Sequence, residues 1–307
     1  MDWEPDKRVS GKQEKNPLVL RPILKQRVWG AERLPPWYPQ PGPGQPVGEA
    51  WLTAEECVAA DGTETLGELV QHDPAAFGAD ANGFPLLVKI LFPREKLSVQ
   101  VHPNDAEAQA LGQPRGKTEC WYVVAAEPGA TVAIGLKEPG SPQEVRAAIA
   151  DGSIEHMLRQ LPVKRGDMVY VPAGTIHAIM PGSVILETQE YSDITYRLYD
   201  YGRPRELHLE QGLAVLRESS EAGLVPPVAM AGFVRLVTSP YFVVDRFALN
   251  GEAELGGAGA MQIVVALVEG CSVGALALPA GWAVVVPAAA TACTLRGKGD
   301  VLRITRP

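Results

Sequence analysis

Three short stretches hold the residues best able to do chemistry. In "LSVQVHP" (97–103), Ser98, Gln100 and His102 fall on one face of a strand, and Leu97, Val99 and Val101 on the other. Pro103 ends the ladder, having no N–H to donate. "GKTECWYVV" puts Glu119 at the head of a second strand, and "PAGTIHAI" sets His177 just after a tight turn at Pro172 and Gly174. Gln100, His102, Glu119 and His177 together offer two imidazoles, a carboxylate and an amide oxygen. That donor set suits one divalent zinc, and its ligand types also admit iron(II) or manganese. With no cysteine among the donors, the site reads as catalytic if one coordination position exchanges. Taken alone, "LSVQVHP" reads better as a strand with a solvent face and one satisfied surface His.

The elements that must position these donors are mostly strands. The chain has 307 residues, 46% of them hydrophobic, and its 31 Gly and 27 Pro punctuate short Val- and Ile-rich runs. Strands are expected in "PILKQRVWG", around Trp51, and in "FPLLVKILF", "KLSVQVH", "TECWYVVA", "ATVAIGL", "DMVYVP", "HAIM" and "SVILETQ". After the polar connection "RESSEAGLVPP" come "FVRLVTS", "YFVVDRFAL", "QIVVALVEG", "SVGALAL", "AVVVPA" and "DVLRITR". Helices are expected after caps at Thr65, Asn104 and Ser141, the last with Pro142 in the first turn and Glu144 closing a capping box. Further helices are expected over 154–160 and in "HLEQGLAVL". "GDMVYVPAGTIHAI" aligns without gaps on "GWAVVVPAAATACT": Gly166 meets Gly281, Pro172 meets Pro287, and His177 meets Ala292. A β unit repeated twice, with the metal-capable side chain kept only in the first, is the reading.

The formal charge of −8 disfavours nucleic acid and anionic membranes as partners, and an anionic ligand would need basic residues concentrated locally. No unbroken apolar run is long enough to span a bilayer. The charged first residues lack the apolar core of a secretory signal. Cys57, Cys120, Cys271 and Cys293 are scattered, which reads as free thiols in a reducing, cytoplasmic compartment.

Gly166, Pro172, Gly174 and His177 resemble the second cupin motif, and Gln100-x-His102 with Glu119 resembles the first, with Gln in place of its first His. The longer strings "PLLVKILFPREKLSVQVHPND", "GKTECWYVV", "VPAGTIHAI" and "SDITYRLYDYGRPRELH", with "RVWG" and "VGEAW", resemble type I mannose-6-phosphate isomerases of the shorter bacterial form. The resemblance implies a mostly β fold of tandem cupin-type jelly-roll domains with a few inserted short helices. It implies a flexible tail over 1–16, a catalytic metal-binding domain over 17–222 and a degenerate companion without metal ligands over 223–307. It also implies one zinc per chain, held by Gln100, His102, Glu119 and His177, and interconversion of mannose 6-phosphate and fructose 6-phosphate. Arg197 matches the family's catalytic arginine. Ser98 and Lys89 match positions lining its pocket, Arg203 lies where longer members carry a phosphate-side lysine, and Glu187 matches an active-site carboxylate by spacing.

Moving a carbonyl between C1 and C2 passes through an enediol or enediolate, so the site must stabilise oxyanion charge and shuttle a proton. Glu187, Lys89 or a metal-bound water is the candidate base. Lys89, inside "LLVKILF", needs a charged partner: a substrate phosphate or a carboxylate of the fold such as Glu119. Arg197 pairs either with substrate or with Asp193 or Asp200 on the surface. Lys117 reads as a solvated loop charge by position, and joins Ser98, Arg203 and Trp121 as a candidate substrate contact. Trp121 shares the face of Glu119 and Tyr122 points away. His72, His156 and His208 have no partner at ligand spacing, and Trp29 and Trp51 read as core aromatics. A sugar-phosphate enzyme, monomeric or weakly dimeric, is the leading expectation. A cupin acting on another sugar phosphate, a non-enzymatic sugar-binding cupin, and an iron(II) oxygenase using His102, Glu119 and His177 are the other readings.

Overall fold

Short apolar runs cut by glycine and proline become short strands. The computed structural model of the protein describes residues 16–218, 220–256, 259–290 and 293–307. The expected tail over 1–16, apart from its last residue, lies outside them, as does Ala292. In chain order come β1 (Leu18–Leu20), β2 (Ile23–Ala31), β3 (Val47–Trp51), α1 (Leu66–His72), β4 (Leu86–Leu91), β5 (Val99–Val101), α2 (Asp105–Gln109), β6 (Glu119–Ala126) and β7 (Thr131–Leu136). Next are α3 (Pro142–Asp151), α4 (Ile154–Met157), β8 (Leu158–Pro162), β9 (Met168–Val171), β10 (His177–Ile179), β11 (Ser183–Glu190), β12 (Tyr196–Tyr199), α5 (Leu209–Val215) and β13 (Gly223–Leu224). The remainder is β14 (Val228–Met230), β15 (Phe233–Thr238), β16 (Val243–Glu254), β17 (Gln262–Ala266), β18 (Cys271–Val273), β19 (Leu276–Leu278), β20 (Ala283–Val286) and β21 (Thr294–Thr305).

Two sheets enclose the site. One runs β13-β9-β6-β11-β4-β3-β2 and the other β12-β5-β10-β7-β8. The two-residue period sorts their side chains. In β6, Cys120 and Tyr122 pack outward against the C-terminal strands, while Trp121 and Val123 point inward with Ile134, Ile179 and Ile185. In β5, Val99 and Val101 pack outward under α3 and α5 beside Val145, Ile149 and Leu213. The seven-stranded sheet is therefore covered on both faces, and its polar inward residues must look into the space between the sheets. Leu97 departs from the expected face: it precedes β5 and joins the inward cluster with Trp121.

The third sheet, of nine strands, contains all of β14 to β21 and also β1, whose Leu18 pairs with Val285. In the other direction, β13 pairs with β9 through Gly223 and Tyr170. Strands thus cross the expected 222/223 boundary both ways. The two aligned motifs adopt like shapes: Gly166 (φ 91°) and Gly281 (φ 73°) are both left-handed, and each precedes a strand that ends before a proline, β9 and β20.

The capping expectations hold at Thr65, Asn104 and Ser141, each with its side chain accepting the third residue's N–H and a glutamate closing the box. The helix expected over 154–160 stops at Met157, because Leu158 turns extended and pairs with Leu136 in β8. "SVGALAL" is a hairpin, β18 with β19, turned at the left-handed Gly274. Cys57, Cys120 and Cys271 are buried free thiols, and among the described residues no helix is long and apolar enough to cross a membrane.

Three hydrogen bonds brace the segments that carry the candidate donors to one another. Gly174 N donates to His102 O at 2.8 Å, Lys117 N to Pro103 O at 2.9 Å, and Ala173 N to the Thr118 hydroxyl at 3.3 Å. Gly116 allows the second contact, since a Cβ there would lie 2.6 Å from Asp105 N and from Pro103 O. Gly116→Ala should therefore cost roughly 1–3 kcal/mol by overpacking, read as a lowered urea midpoint with unchanged m-value. An unchanged midpoint would show that this contact is not tight.

Candidate active site

The four candidate donors come from three strands or their ends. Gln100 lies in β5, His102 one residue past it, Glu119 opens β6 and His177 opens β10. Gln100 is in direct register with His177 on one side and with Arg197 of β12 on the other. Opposite this row, the facing sheet presents Trp51, Lys89, Glu187 and Trp121 in consecutive register across β3, β4, β11 and β6. The chemistry-bearing side chains thus form two cross-strand rows that face each other.

Both imidazoles are oriented by backbone carbonyls. His102 Nδ1 lies 2.8 Å from Ile194 O, and His177 Nδ1 lies 2.9 Å from Thr175 O. Each carbonyl only accepts, so each Nδ1 carries the proton and each Nε2 presents a lone pair. The lone pairs converge on Glu119: His102 Nε2 is 3.7 Å from Oε2 and His177 Nε2 is 3.4 Å from Oε1. The donor atoms of His102, Glu119 and His177 lie within 4.8 Å of one another, and all three residues are buried. Burial holds the His102 pKa well below its ordinary value and brings that of His177 down to about 4, so both rings are neutral at physiological pH.

His102 Nε2 is buried without any hydrogen bond, and Glu119 Oε2 has only an ion pair, 3.1 Å from Lys117 Nζ. Two lone pairs and a carboxylate cannot satisfy one another. A divalent cation among them would satisfy all three, so the donors fit a metal. Gln100 stands beside this group with its amide nitrogen 3.2 Å from His177 Nε2, while its oxygen accepts the Ser98 hydroxyl at 3.2 Å. To act as a fourth ligand, the amide would have to turn its oxygen inward.

A cavity of about 290 Å³ opens in front of the donors, lined by Ser98, Gln100, Lys89, Lys117, Glu187 and Arg197 among others. Five cations border it (Arg27, Lys89, Lys117, Arg197, Arg205) against three acids (Glu49, Glu187, Asp193), in a chain of net charge −8. Basic residues are therefore concentrated where an anionic ligand would need them. Lys117 is buried, not a solvated loop charge, because Glu119 and Glu187 draw it inward. Lys89 pairs with Asp193 at 3.0 Å and Glu187 at 3.8 Å, and lies 4.8 Å from the Trp51 ring centre. Its partners are thus Asp193 and Glu187 rather than Glu119. Glu187 is buried beside Glu119, and those two effects push its pKa up to about 7 despite Lys117 and Lys89. Trp121 Nε1 reaches both carboxylates, at 3.1 Å from Glu119 and 3.2 Å from Glu187.

Arg197 forms no ion pair among the described residues. Its NH1 donates to Glu206 O at 2.7 Å, and its buried Nε has no partner. Asp200 is occupied elsewhere: Arg205 grips it with two bonds of 2.6 Å, and Arg203 Nε reaches it at 3.1 Å. Arg203 also donates to Lys96 O at 2.7 Å and is not among the residues lining the cavity, whereas Arg205 is.

The family model for "Phosphomannose isomerase type I, catalytic domain" matches residues 18–133. The mannose-6-phosphate isomerase of Streptococcus mutans serotype c is 39% identical over 256 residues, covering 78% of this chain and 81% of that protein. This chain belongs to the type I phosphomannose isomerase family. A mannose-6-phosphate isomerase of Bacillus subtilis is 38% identical over 258 residues, again 78% of this chain and 81% of that one. The crystal structure of the mannose 6-phosphate isomerase from Bacillus subtilis superposes with a TM-score of 0.86 at 31% identity, over 94% of this chain and 99% of that one. A phosphomannose isomerase variant from Salmonella typhimurium shares the fold at TM-score 0.77 and 18% identity, over 95% and 100%. The cupin-type architecture expected from the sequence is the one these neighbours have.

In this family member, sequence reasoning passed over several residues at the site. Arg27, Trp29, Glu49, Asp193 and Arg205 all line the cavity. Trp29 and Glu49 stand in "RVWG" and "VGEAW", which carried the resemblance, so their signal was present but unused. His208 was set aside, yet its ring accepts Arg197 N at 3.3 Å and its own N–H donates to Arg197 O at 2.7 Å, so it props the arginine strand. His72 and His156 stay outside the cavity.

The metal reading predicts that His102→Ala, His177→Ala and Glu119→Gln each retain far less metal after dialysis than the parent, by at least about tenfold in affinity. Elemental analysis per folded chain checks this. Parent-level metal in all three would remove these residues as ligands.

Proposed function

We propose that the protein is a zinc-dependent mannose-6-phosphate isomerase, interconverting mannose 6-phosphate and fructose 6-phosphate through an enediol or enediolate. The observation that carries this reading is the convergence of His102 Nε2, His177 Nε2 and Glu119 at the back of a cation-rich cavity walled by a raised-pKa carboxylate, Glu187. We also propose the division into a catalytic unit over 17–222 and a metal-free companion over 223–307, with β1 and β13 exchanged between them.

The geometry supports the following division of labour. Gln100, His102, Glu119 and His177 would hold the zinc. When bound, it supplies Lewis acidity toward the sugar oxygens on which negative charge develops. Glu187 takes the proton from C2 and returns it to C1. A base with a pKa near working pH can both accept and release a proton, which an ordinary carboxylate does poorly. Lys89 and Lys117 flank Glu187 and keep its carboxylate form accessible despite burial. Arg197, the cavity cation without a carboxylate partner, binds the oxygens of the open chain. Arg205 and Arg27 meet the phosphate, and Ser98 lines the cavity beside Gln100 as a further polar contact for the sugar.

A coupled assay for fructose 6-phosphate formation tests the activity on protein as purified, after chelation and after zinc return. Activity should vanish with the metal and come back with it. No turnover in any state would refute the function, and full activity in verified metal-free protein would refute the metal's part.

Glu187 works as a base only when ionised, and its carboxylate fraction grows as pH rises through about 7. The rate constant kcat/KM should thus fall on the acid side, with its inflection at or somewhat below that value once a cation offsets Glu119. Glu187→Gln should remove the limb and lower kcat by roughly 10²–10⁴-fold. A retained limb would assign the base elsewhere. Arg197→Ala should lower kcat/KM by about 10²-fold or more, whereas Arg203→Ala should stay within about threefold. Equal losses would place Arg203 back at the substrate.

A further inference from the structure

A second cavity, of about 320 Å³, lies at the far end of the same strands and shares no lining residue with the substrate cavity. Ala125 and Ala126 near the end of β6, Phe92 and Pro93 after β4, and Ser183 at the start of β11 form part of its wall. Ser183 and Glu187 are four residues apart in one strand, so the two cavities are separated by about 13 Å. This second space is walled mainly by apolar groups, yet it has two features that an ordinary surface dent lacks. Ser183 is 5% exposed, and its buried hydroxyl has no hydrogen-bond partner. Arg33 and Arg94 also line it, and neither has an ion pair among the described residues. Glu127 is the one acid in the lining, so the local charge is positive.

We propose that this cavity is a binding site for a small organic oxyanion, a phosphate or carboxylate carried on a flat apolar body. The alanines, prolines and Phe92 would take the body. The two guanidiniums would take the anion, which they suit by their forked donors and weak hydration. The Ser183 hydroxyl is enclosed in the wall, and turning its side chain into the cavity would give it the partner it lacks. A cavity this size is at the small end for ligand sites, which limits the body to about one ring. The site is tied to the catalytic one through the Trp29 carbonyl, which accepts from Arg94 N at 2.9 Å and Glu95 N at 3.2 Å, while the Trp29 side of the chain borders the substrate cavity.

Isothermal titration of the zinc-loaded protein tests this, with phenyl phosphate, benzoate and inorganic phosphate as probes, each run first without and then with saturating mannose 6-phosphate. Phenyl phosphate or benzoate should bind at one site per chain, and whichever binds tighter identifies the preferred head group. Affinity should fall at least about tenfold in the double variant Arg33→Glu/Arg94→Glu. Both side chains are exposed and outside the catalytic row, so the double variant should keep its folding midpoint and basal activity. Ser183→Ala should weaken binding by a smaller factor. The proposal is overturned if neither aromatic probe binds, if inorganic phosphate binds as tightly as phenyl phosphate, or if the double variant binds like the parent. Loss of aromatic-probe binding on adding mannose 6-phosphate would likewise overturn it, by placing the probe in the substrate cavity.

Discussion

Two neutral imidazoles aimed at one buried carboxylate are the constraint around which the rest of the structure is arranged. Carbonyls of Ile194 and Thr175 take the Nδ1 protons and leave two lone pairs pointing at Glu119. In a buried space such a grouping is costly unless a cation joins it. Lys117 supplies part of that positive charge from 3.1 Å, but it leaves His102 Nε2 without a partner. Everything that keeps the three donors from relaxing apart therefore matters: the bonds from Gly174 to His102 and from Lys117 to Pro103, and the capping box at Asn104 that starts α2 just past His102. The glycines and prolines here are tools of close approach, because the bracing contacts need backbone to meet backbone.

From this centre the chemistry spreads sideways along the sheets. The row Trp51, Lys89, Glu187, Trp121 alternates ring, cation, anion and ring, and each member alters the next. Glu187 sits between a like charge that raises its pKa and two ammonium groups that lower it, and burial tips the balance upward. The result is a carboxyl group with a pKa of about 7 facing a cation-rich cavity. The sheet register is the device that sets these distances, since neighbouring strands place facing side chains about 5 Å apart.

Much of this was legible in the sequence because it is local or periodic. The two-residue alternation assigned Gln100 and His102 to one face and separated Trp121 from Tyr122. The capping boxes at Asn104 and Ser141 are four-residue patterns. What escaped depends on distance along the chain. Lys117 reads as a loop charge until Glu187, seventy residues later, is folded against it. Asp193, the partner of Lys89, sits in a connection with no periodicity to announce it. That Arg205 and not Arg203 lines the cavity goes with a local bend at Tyr201 and Gly202, with φ of 55° and 79°, which no sequence period announces. The strand exchange of β1 and β13 is likewise a matter of tertiary pairing, and Leu158 left its helical run because Leu136 offered it a strand partner.

The most direct test of the central claim is anomalous diffraction above and below the zinc absorption edge, from crystals of protein loaded with one equivalent of zinc. One strong peak is expected about 2.0–2.2 Å from His102 Nε2, His177 Nε2 and a Glu119 oxygen. A peak elsewhere, or none at these three side chains in crystals shown to contain zinc, would contradict the account.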